Sequence, residues 1–546
     1  MSEKIKLLIQ MHYSTELRNA LTATRLSKST VPSLDIPGFS LDENYPPIKI
    51  PKREKRKSVG DMEVGRLFTF NARPEVSTYL IRGEVEDENA LDRLMKKVDE
   101  DPYAVAVYSD ARIGTGPVCP DESPVGTHED VAHLLKTTEL YAKGMDGSNV
   151  MVAIMDTGIN MEYLSSKGIS ANFDENKSWS PLQEVVFKPG KFPKDHGTMC
   201  AFDVCIAAPN CTLLDYALLR SQKRGETATE GFLSDAVTAY SKLLELLSTD
   251  EQNKPRLVVN NSWAMYHPSW DFPEGHPGNY SDNPEHPFNI IVESLEDAGA
   301  DILFAAGNCG EECSDNRCEN VTDRTIYGAN SHSSVLCVAA VTTDKKRLGY
   351  SSKGPGRLDP NKPDICAYSH FGGSEVYPAD GGTSAACPVA AGVVAAIRSV
   401  YSQADISPAI LRKKLHRGAE DLGQAGFDYS HGYGLINVSE FITPPQIVPI
   451  QVGEQVSGNF KKKGETAMFK VKVENALNIE LKGPDGADFD LYVKKGSEPT
   501  LTQYDDRGYT GTAKEKIRIP LDSGEYYIMV HSFRGAGDFN LRSTME

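Results

Sequence analysis

Three short motifs, far apart in the chain, carry side chains that together could perform acyl transfer. A serine hydroxyl is a poor nucleophile until an imidazole accepts its proton and a carboxylate holds that imidazole in the correct tautomer. The order Asp, His, Ser is one of the chain orders known for such a triad. The predicted triad is Asp156, His196 and Ser384, in the motifs Asp156-Thr157-Gly158, His196-Gly197-Thr198 and Gly382-Thr383-Ser384-Ala385-Ala386-Cys387-Pro388.

The elements around these motifs must bring the three side chains together. Asp156 ends the apolar run 150–155, which predicts a buried strand. His196 opens a helix-like stretch. Ser384 opens the apolar run 385–400, so its hydroxyl is expected at a helix N-terminus, where the local field favours developing negative charge. Sites in parallel α/β sheets lie at the carboxyl ends of strands, and the position of Asp156 fits that rule.

A fourth motif, Ala305-Ala306-Gly307-Asn308, follows the strand-like run 301–304. The four motifs in this order resemble those of the subtilisin-like serine proteases, the subtilases. The resemblance implies a serine endopeptidase that acts on protein or peptide substrates through an acyl-enzyme. It also implies that Asn308 donates to the oxyanion, and losing such a donor costs roughly 3–4 kcal/mol of transition-state stabilisation.

The same resemblance implies where the substrate binds. In the family, the segment Ser262, Trp263 and Ala264 pairs with an extended peptide as an added strand, so main-chain bonds give affinity. Ala305, Ala306 and Gly307 line the opposite wall of the S1 pocket. Small residues in that wall would leave room for a large P1 side chain.

Trp263 has two interpretations of equal weight. A Ser-Trp pair is similar to that of the kexin-like branch, which prefers basic P1 residues, and Asp271 and Glu274 would permit such a preference. Packing in the hydrophobic core is the other interpretation.

Length and pattern divide the 546 residues into about three domains. Residues 1–113 follow a β-α-β-β-α-β order that resembles the inhibitory, ferredoxin-like α+β prodomain of subtilases, whose tail occupies the substrate subsites. The chain's own prodomain is therefore expected as an inhibitor, and a self-cleavage junction is expected in or just before the Gly- and Pro-rich linker 114–130. The predicted elements are strands at 4–12, 66–72, 77–85 and 104–108, helices at 16–26 and 89–98, and a flexible loop at 27–61.

Residues 131–446 alternate strands with helices, which predicts an α/β domain with a mostly parallel sheet covered on both faces. The predicted strands are 150–155, 212–218, 257–261, 302–306 and 335–341, and the predicted helices are 232–247, 288–298 and 384–400.

Residues 447–546 change to short alternating runs separated by turns, which predicts an all-β sandwich. It resembles the C-terminal β-domain that follows many bacterial secreted peptidases. No cofactor is expected for the chemistry. A structural calcium ion could bind to Asp485, Asp488, Asp490, Asp505 and Asp506, although turn-forming aspartates are the simpler interpretation, and the residues of any metal site stay unknown from the sequence.

Composition sets limits on partners. The net charge of −18 argues against nucleic-acid binding, and no run approaches the 18 apolar residues of a membrane span. The N-terminus lacks a signal-peptide pattern, so the sequence as given predicts a cytoplasmic protein, or a secreted one whose signal has been removed.

The ten cysteines do not form a dense disulfide pattern. Cys337, Cys366 and Cys387 are expected as buried free thiols, and Cys200 lies one helical turn after His196. Cys309, Cys313 and Cys318 cluster in a polar loop and are interpreted as thiols or one bridge rather than a metal site.

Three alternatives remain open at this stage. The protein could be a processing protease whose prodomain stays bound. It could be a pseudoprotease that binds peptides by strand addition. The C-terminal sandwich could also be the functional part, as an interaction or docking module.

Overall fold

The computed structural model describes residues 4–12, 37–54, 67–69, 78–116, 118–119, 122–181, 187–220, 229–248, 254–442, 446–474, 476–499, 501, 504–519 and 523–545. The chain divides into two compact units, Met1–Val438 and Ser439–Glu546.

The first unit begins with a small antiparallel sheet. The strands of this part of the chain are, in order, β1 (Ile5–His12), β2 (Phe39–Leu41), β3 (Ile48–Ile50), β4 (Lys52–Glu54), β5 (Leu67–Thr69), β6 (Thr78–Val85) and β7 (Ala104–Ser109). Strands β4 and β5 pair with each other as a hairpin apart from the sheet. The strand order is β2-β6-β1-β7, and β3 also pairs with β6. Alternation along β1 points Leu7 and Ile9 to helix α1 (Glu88–Glu100) and Leu8 to the core of the α/β part.

The insertion at 27–61 is more ordered than the sequence predicts. It supplies β2 and β3, and Tyr45, Ile48 and Ile50 are buried in the α/β core. The prediction of a loop over the whole insertion is wrong because these strands are three residues long, too short for alternation to show. The predicted helix 16–26 lies outside the described residues.

Seven parallel strands form the central sheet of the first unit. The chain continues through β8 (Arg112–Gly114), β9 (Val150–Met155), β10 (Asn172–Phe173), β11 (Thr212–Tyr216), β12 (Glu230–Phe232), β13 (Arg256–Asn261), β14 (Asp301–Ala305), β15 (Leu336–Val341) and β16 (Ile365–Tyr368). The sheet has the order β10-β11-β9-β13-β14-β15-β16, while β8 and β12 form a separate antiparallel pair. All five predicted strands are confirmed within two residues at each end, and the short β10 and β16 were missed.

Helices cover both faces of this sheet. They are α2 (His128–Leu134), α3 (Thr137–Ala142), α4 (Met161–Ser166), α5 (His196–Ala207), α6 (Leu233–Ser248), α7 (Pro287–Asp297), α8 (Thr383–Val400) and α9 (Pro408–Gly418). Helices α6 and α7 pack on the face that carries Ala153 and Met155, and α5 packs against α8 on the other. By length and composition, α8 is the one helix in the described part of the chain that could cross a membrane, but 89% of it is buried, as befits a core helix.

The second unit is a β-sandwich, as predicted. After α10 (Ser439–Ile442) it contains β17 (Ile447–Ile450), β18 (Gln455–Phe460), β19 (Thr466–Val473), β20 (Leu477–Lys482), β21 (Asp488–Lys495), β22 (Asp506–Gly508), β23 (Lys514–Ile519), β24 (Gly524–Arg534) and β25 (Gly537–Met545). One sheet has the order β17-β19-β24-β21-β22 and the other β18-β25-β20-β23. Alternate residues, such as Ile517 and Ile519 of β23, fill the core between the sheets.

Candidate active site

Asp156 and His196 lie side by side in the interior. Asp156 follows the last residue of β9, and His196 is the first residue of α5. The imidazole Nδ1 is 3.0 Å from each carboxylate oxygen of Asp156, and both side chains are almost fully buried. The Thr157 N–H donates to Asp156 Oδ1 at 2.7 Å. The carboxylate is therefore held in place to accept from Nδ1–H and to fix the tautomer of the ring.

Glycines allow the first two motifs to touch. The Gly197 N–H donates to Thr157 Oγ1 at 2.9 Å. A Cβ atom added to Gly197 would lie 2.7 Å from the Gly158 carbonyl oxygen, and Gly158 itself has φ of +103°. A larger residue at either position would push His196 away from Asp156.

Ser384 and Asn308 complete the set. Ser384 is the second residue of α8, and its Oγ lies 3.3 Å from the Ser262 carbonyl oxygen. Asn308 Oδ1 accepts from the Thr383 N–H at 2.9 Å and from Thr383 Oγ1 at 3.0 Å. With Oδ1 held in this way, Nδ2 is the branch of the amide that can donate to an oxyanion.

A segment of the chain itself occupies the cleft beside these residues. We call residues 112–116 the strap. Its strand β8 pairs with β12 on one side, with Ile113 opposite Gly231. On the other side, Gly114 and Ala264 exchange two backbone hydrogen bonds of 2.9 Å. The strap is thus the middle strand of three, held as an added strand in the manner of an extended peptide.

Thr115 of the strap reaches the predicted triad. Its Oγ1 lies 2.8 Å from His196 Nε2, 2.7 Å from the Ser262 carbonyl oxygen and 3.5 Å from Ser384 Oγ. The hydroxyl has one proton, so either the threonine donates it to Nε2, or it donates to the Ser262 carbonyl oxygen and accepts from Nε2–H. In both cases the Nε2 lone pair is not available to accept the proton of Ser384. Sequence motifs gave no signal for Thr115, because only the path of the strap brings it here.

The predicted substrate-binding residues divide into two groups. Ser262 and Ala264 contact the strap through their backbones, whereas the Trp263 side chain is 1% exposed and packs against Phe288 and Phe304. Core packing is therefore the correct interpretation of the Trp263 side chain.

The proposed S1 wall and the two acidic residues are all engaged in the fold. Ala305, Ala306 and Gly307 are buried at the end of β14, next to Asn308. The Asp271 carboxylate accepts from the backbone N–H groups of Phe272, Tyr280 and Ser281. Glu274 pairs with Arg324 and Arg357. Neither carboxylate is free to bind a basic P1 side chain.

The loop after Asn308 holds an arginine that the sequence analysis did not single out. The Arg317 guanidinium donates to the Thr115 carbonyl oxygen at 2.9 Å, and it also contacts Asp315 and Glu230. The prediction for this loop concerned its cysteines, because a single arginine between them forms no recognisable motif.

Two disulfides border the cleft, Cys309–Cys318 and Cys119–Cys313. The expectation of at most one bridge was wrong because Cys119, 194 residues from Cys313, returns to the loop with the strap. Cys337, Cys366 and Cys387 are buried free thiols, as predicted. Cys200 Sγ lies 3.6 Å from Asp156 Oδ2, and burial beside that carboxylate raises the pKa of the thiol well above its ordinary value.

The five aspartates of the sandwich do not gather into one group. In the described part of the sandwich, no three acidic, His or Cys side chains bring ligand atoms within 4.8 Å of one another. Asp485 pairs with Lys514, and Asp505 accepts from the Lys495 N–H. The simpler interpretation, aspartates that organise turns and strand ends, accounts for these contacts.

Comparison with known proteins shows the family. Residues 147–434 match the subtilase family and residues 466–532 match the bacterial pre-peptidase C-terminal domain. Subtilisin DY of Bacillus licheniformis is 29% identical over 312 residues, covering 56% of this chain and 95% of that protein. Subtilisin E of Bacillus subtilis is 27% identical over 310 residues, covering 56% and 68%. The structure of the pre-peptidase C-terminal domain of a Bacillus anthracis collagenase is 17% identical, with a TM-score of 0.17, covering 18% of this chain and 96% of that one.

The chain belongs to the subtilase family and is a subtilisin-like serine endopeptidase, a hydrolase of peptide bonds in protein or peptide substrates.

Proposed function

We propose that Ser384 attacks the scissile carbonyl while His196 accepts its proton and later delivers it to the leaving amine. Asp156 orients His196 and stabilises its cationic form. The Asn308 amide and the Ser384 N–H bind the oxyanion of the tetrahedral intermediate. The observation that carries this proposal is the pair of 3.0 Å contacts between His196 Nδ1 and a buried Asp156. On the other side of the ring, Thr115 Oγ1 lies 2.8 Å from Nε2 and 3.5 Å from Ser384 Oγ.

We further propose that the chain is a self-inhibited zymogen. The strap lies in the cleft as a substrate would, and its Thr115 hydroxyl engages the nitrogen that must serve as general base. Activity then requires the strap to leave, after cleavage within or near it. The N-terminal sheet, which directly precedes the strap along the chain, is the inhibitor.

The assignment of Ser384 is tested with the full-length chain. Ser384→Ala should lower kcat on a fluorogenic peptide by several orders of magnitude and abolish labelling by a fluorophosphonate probe, with an unchanged melting temperature. Ser402→Ala, just beyond the C-terminal end of the same helix, is the control and should retain both. Turnover that survives Ser384→Ala would refute the triad, and a wild-type chain that never labels would favour the pseudoprotease.

We propose that the protein works in an oxidising compartment. Two disulfides favour this placement over the reducing cytoplasm. Unfolding without a reductant followed by alkylation should find six free cysteines, and ten would contradict the placement. Calcium dependence stays a prediction, which loss of activity in a chelator would support.

A further inference from the structure

Arg317 lies where a bound peptide would present its backbone. Its Nη2 atom donates to the carbonyl oxygen of Thr115, the central residue of the strap's contact with the triad. A charge-assisted bond of this kind is stronger than one between neutral groups. An extended substrate in the same position would receive the same bond, so Arg317 is placed to contact substrate.

The guanidinium is fixed from several sides. Asp315 binds it in a bidentate manner, at 2.9 Å to Nε and 2.7 Å to Nη2, and Glu230 binds Nη1 at 3.2 Å. The ring of Tyr266 stacks beneath it at 3.9 Å, and the next residue, Cys318, is in a disulfide. The side chain therefore cannot easily swing aside to admit a bulky group.

The fixed guanidinium faces two glycines. A Cβ atom added to Gly116 would lie 3.1 Å from Arg317 Nη2. One added to Gly114 would lie 2.9 Å from Nη1, 3.1 Å from Glu230 Cγ and 3.2 Å from the Thr229 carbonyl oxygen. Alternate residues of an extended strand point to the same side, so both positions meet the same obstacle.

The pairing of the strap with Ala264 indicates which substrate positions the two glycines correspond to. Gly114 is opposite Ala264, so Gly116 is opposite Ser262, whose carbonyl oxygen contacts Ser384 Oγ. This register puts Gly116 in the P1 position, with Thr115 and Gly114 in P2 and P3. This placement rests on the function proposed above.

We propose that Arg317 determines the specificity of this protease for peptides with glycine at both P1 and P3. It binds the P2 carbonyl and occupies the space that side chains at P1 and P3 would need. The small residues of the Ala305–Gly307 wall do not remove this obstacle, because Arg317 Nη2 lies 3.1 Å from the position of a Cβ atom on Gly116. An acidic P1 residue gains little, since Asp315 and Glu230 already neutralise the guanidinium.

The test uses the full-length chain, incubated until its activity is constant, and fluorogenic peptides of the form Ile-X-Thr-Z with Gly, Ala, Phe, Arg or Glu at X or Z. The wild type should cleave after glycine with a kcat/KM at least 10-fold above that for Phe, Arg or Glu. Arg317→Ala should raise KM for the Gly-Thr-Gly peptide about 10-fold and remove the preference for glycine. Arg324→Ala, an arginine paired with Glu274 instead, should leave both values unchanged.

Each result decides the proposal. A wild-type preference for a large, basic or acidic P1 residue would overturn it without any variant, and so would an Arg317→Ala enzyme with the wild-type order of P1 residues. In both cases a loss of hydrolysis in Ser384→Ala would leave the proposed function intact. If the wild type cleaves none of the peptides and Ser384 does not react with the fluorophosphonate, the proposed function fails together with this inference.

Discussion

The smallest feature with a large consequence is the hydroxyl of Thr115. It lies 2.8 Å from His196 Nε2, the nitrogen that acts as general base in the proposed mechanism. In the proposed zymogen, exclusion of substrate and occupation of Nε2 are separate effects, because a strap with any side chain at this position would still exclude substrate.

Thr115→Val separates these effects, because valine keeps the shape of threonine and lacks the hydroxyl. In the full-length chain we expect Ser384 to react with a fluorophosphonate about 5-fold faster than in the wild type, since one hydrogen bond of about 1 kcal/mol no longer competes for Nε2. Thr115→Ser keeps the hydroxyl and should label at the wild-type rate. Equal rates for the Val and Ser variants would show that the hydroxyl has no such role.

Among the elements, the strap depends on burial as well as on backbone pairing. Ile113 is fully buried in the core shared with α6 and α7, and it is the deepest side chain of β8. Three strands of three residues or fewer cannot hold one another by hydrogen bonds alone, so this apolar anchor accounts for the stability of the arrangement.

Ile113→Ala should release the strap more often. Removing a buried isoleucine side chain costs about 2–5 kcal/mol, so labelling of the full-length chain by a fluorophosphonate should become at least 10-fold faster. Val105→Ala, at a 41% exposed position of β7, is the matched control and should label like the wild type. An unchanged rate for Ile113→Ala would mean that the strap is held elsewhere.

For the molecule as a whole, buried carboxyl groups determine how stability depends on pH. Asp110 lies between β7 and β8, and its Oδ1 accepts from the Ser234 N–H of α6 at 2.7 Å. Burial is the largest influence and raises its pKa from 3.8 to about 6, although Arg82 opposes the rise and Asp235 adds to it. The folded chain therefore holds this proton more tightly than the unfolded chain does.

Asp110→Asn keeps an acceptor for Ser234 and removes the titration. The stabilising effect of the raised pKa is complete below about pH 4 and is lost as the pH rises through about 6. The unfolding free energy of the wild type minus that of Asp110→Asn should therefore fall by up to about 3 kcal/mol over this interval. Urea unfolding at a series of pH values measures the difference, and a difference that is flat or rises with pH would contradict the assignment.

Local pattern was sufficient for the main elements of the catalytic part. The run 150–155 and its following Asp156 predicted β9 and its functional end, and the small apolar residues after Ser384 predicted α8, because periodicity and motif spacing are properties of neighbouring residues. The glycines of the first two motifs also belong to this local pattern, and they permit the contact between Thr157 and Gly197.

Trp263 shows that local sequence pattern does not predict the direction of every side chain. Its neighbours on both sides contact the strap, yet its own side chain points into the core against Phe304. The two interpretations were equal in sequence because alternation does not tell which face of a strand end is buried.

From its local patterns, then, the sequence predicted the order of the main elements, the sandwich and the candidate triad with Asn308. Tertiary structure alone decided that Thr115 engages His196, that Arg317 faces two glycines and that Cys119 pairs with Cys313. Each of these contacts joins segments 81 to 203 residues apart, and the pairing of β8 with β12 and Ala264 brings them together. Contacts between residues so far apart depend on how whole strands and helices pack against one another, and the spacing of residues along the chain does not reveal that packing.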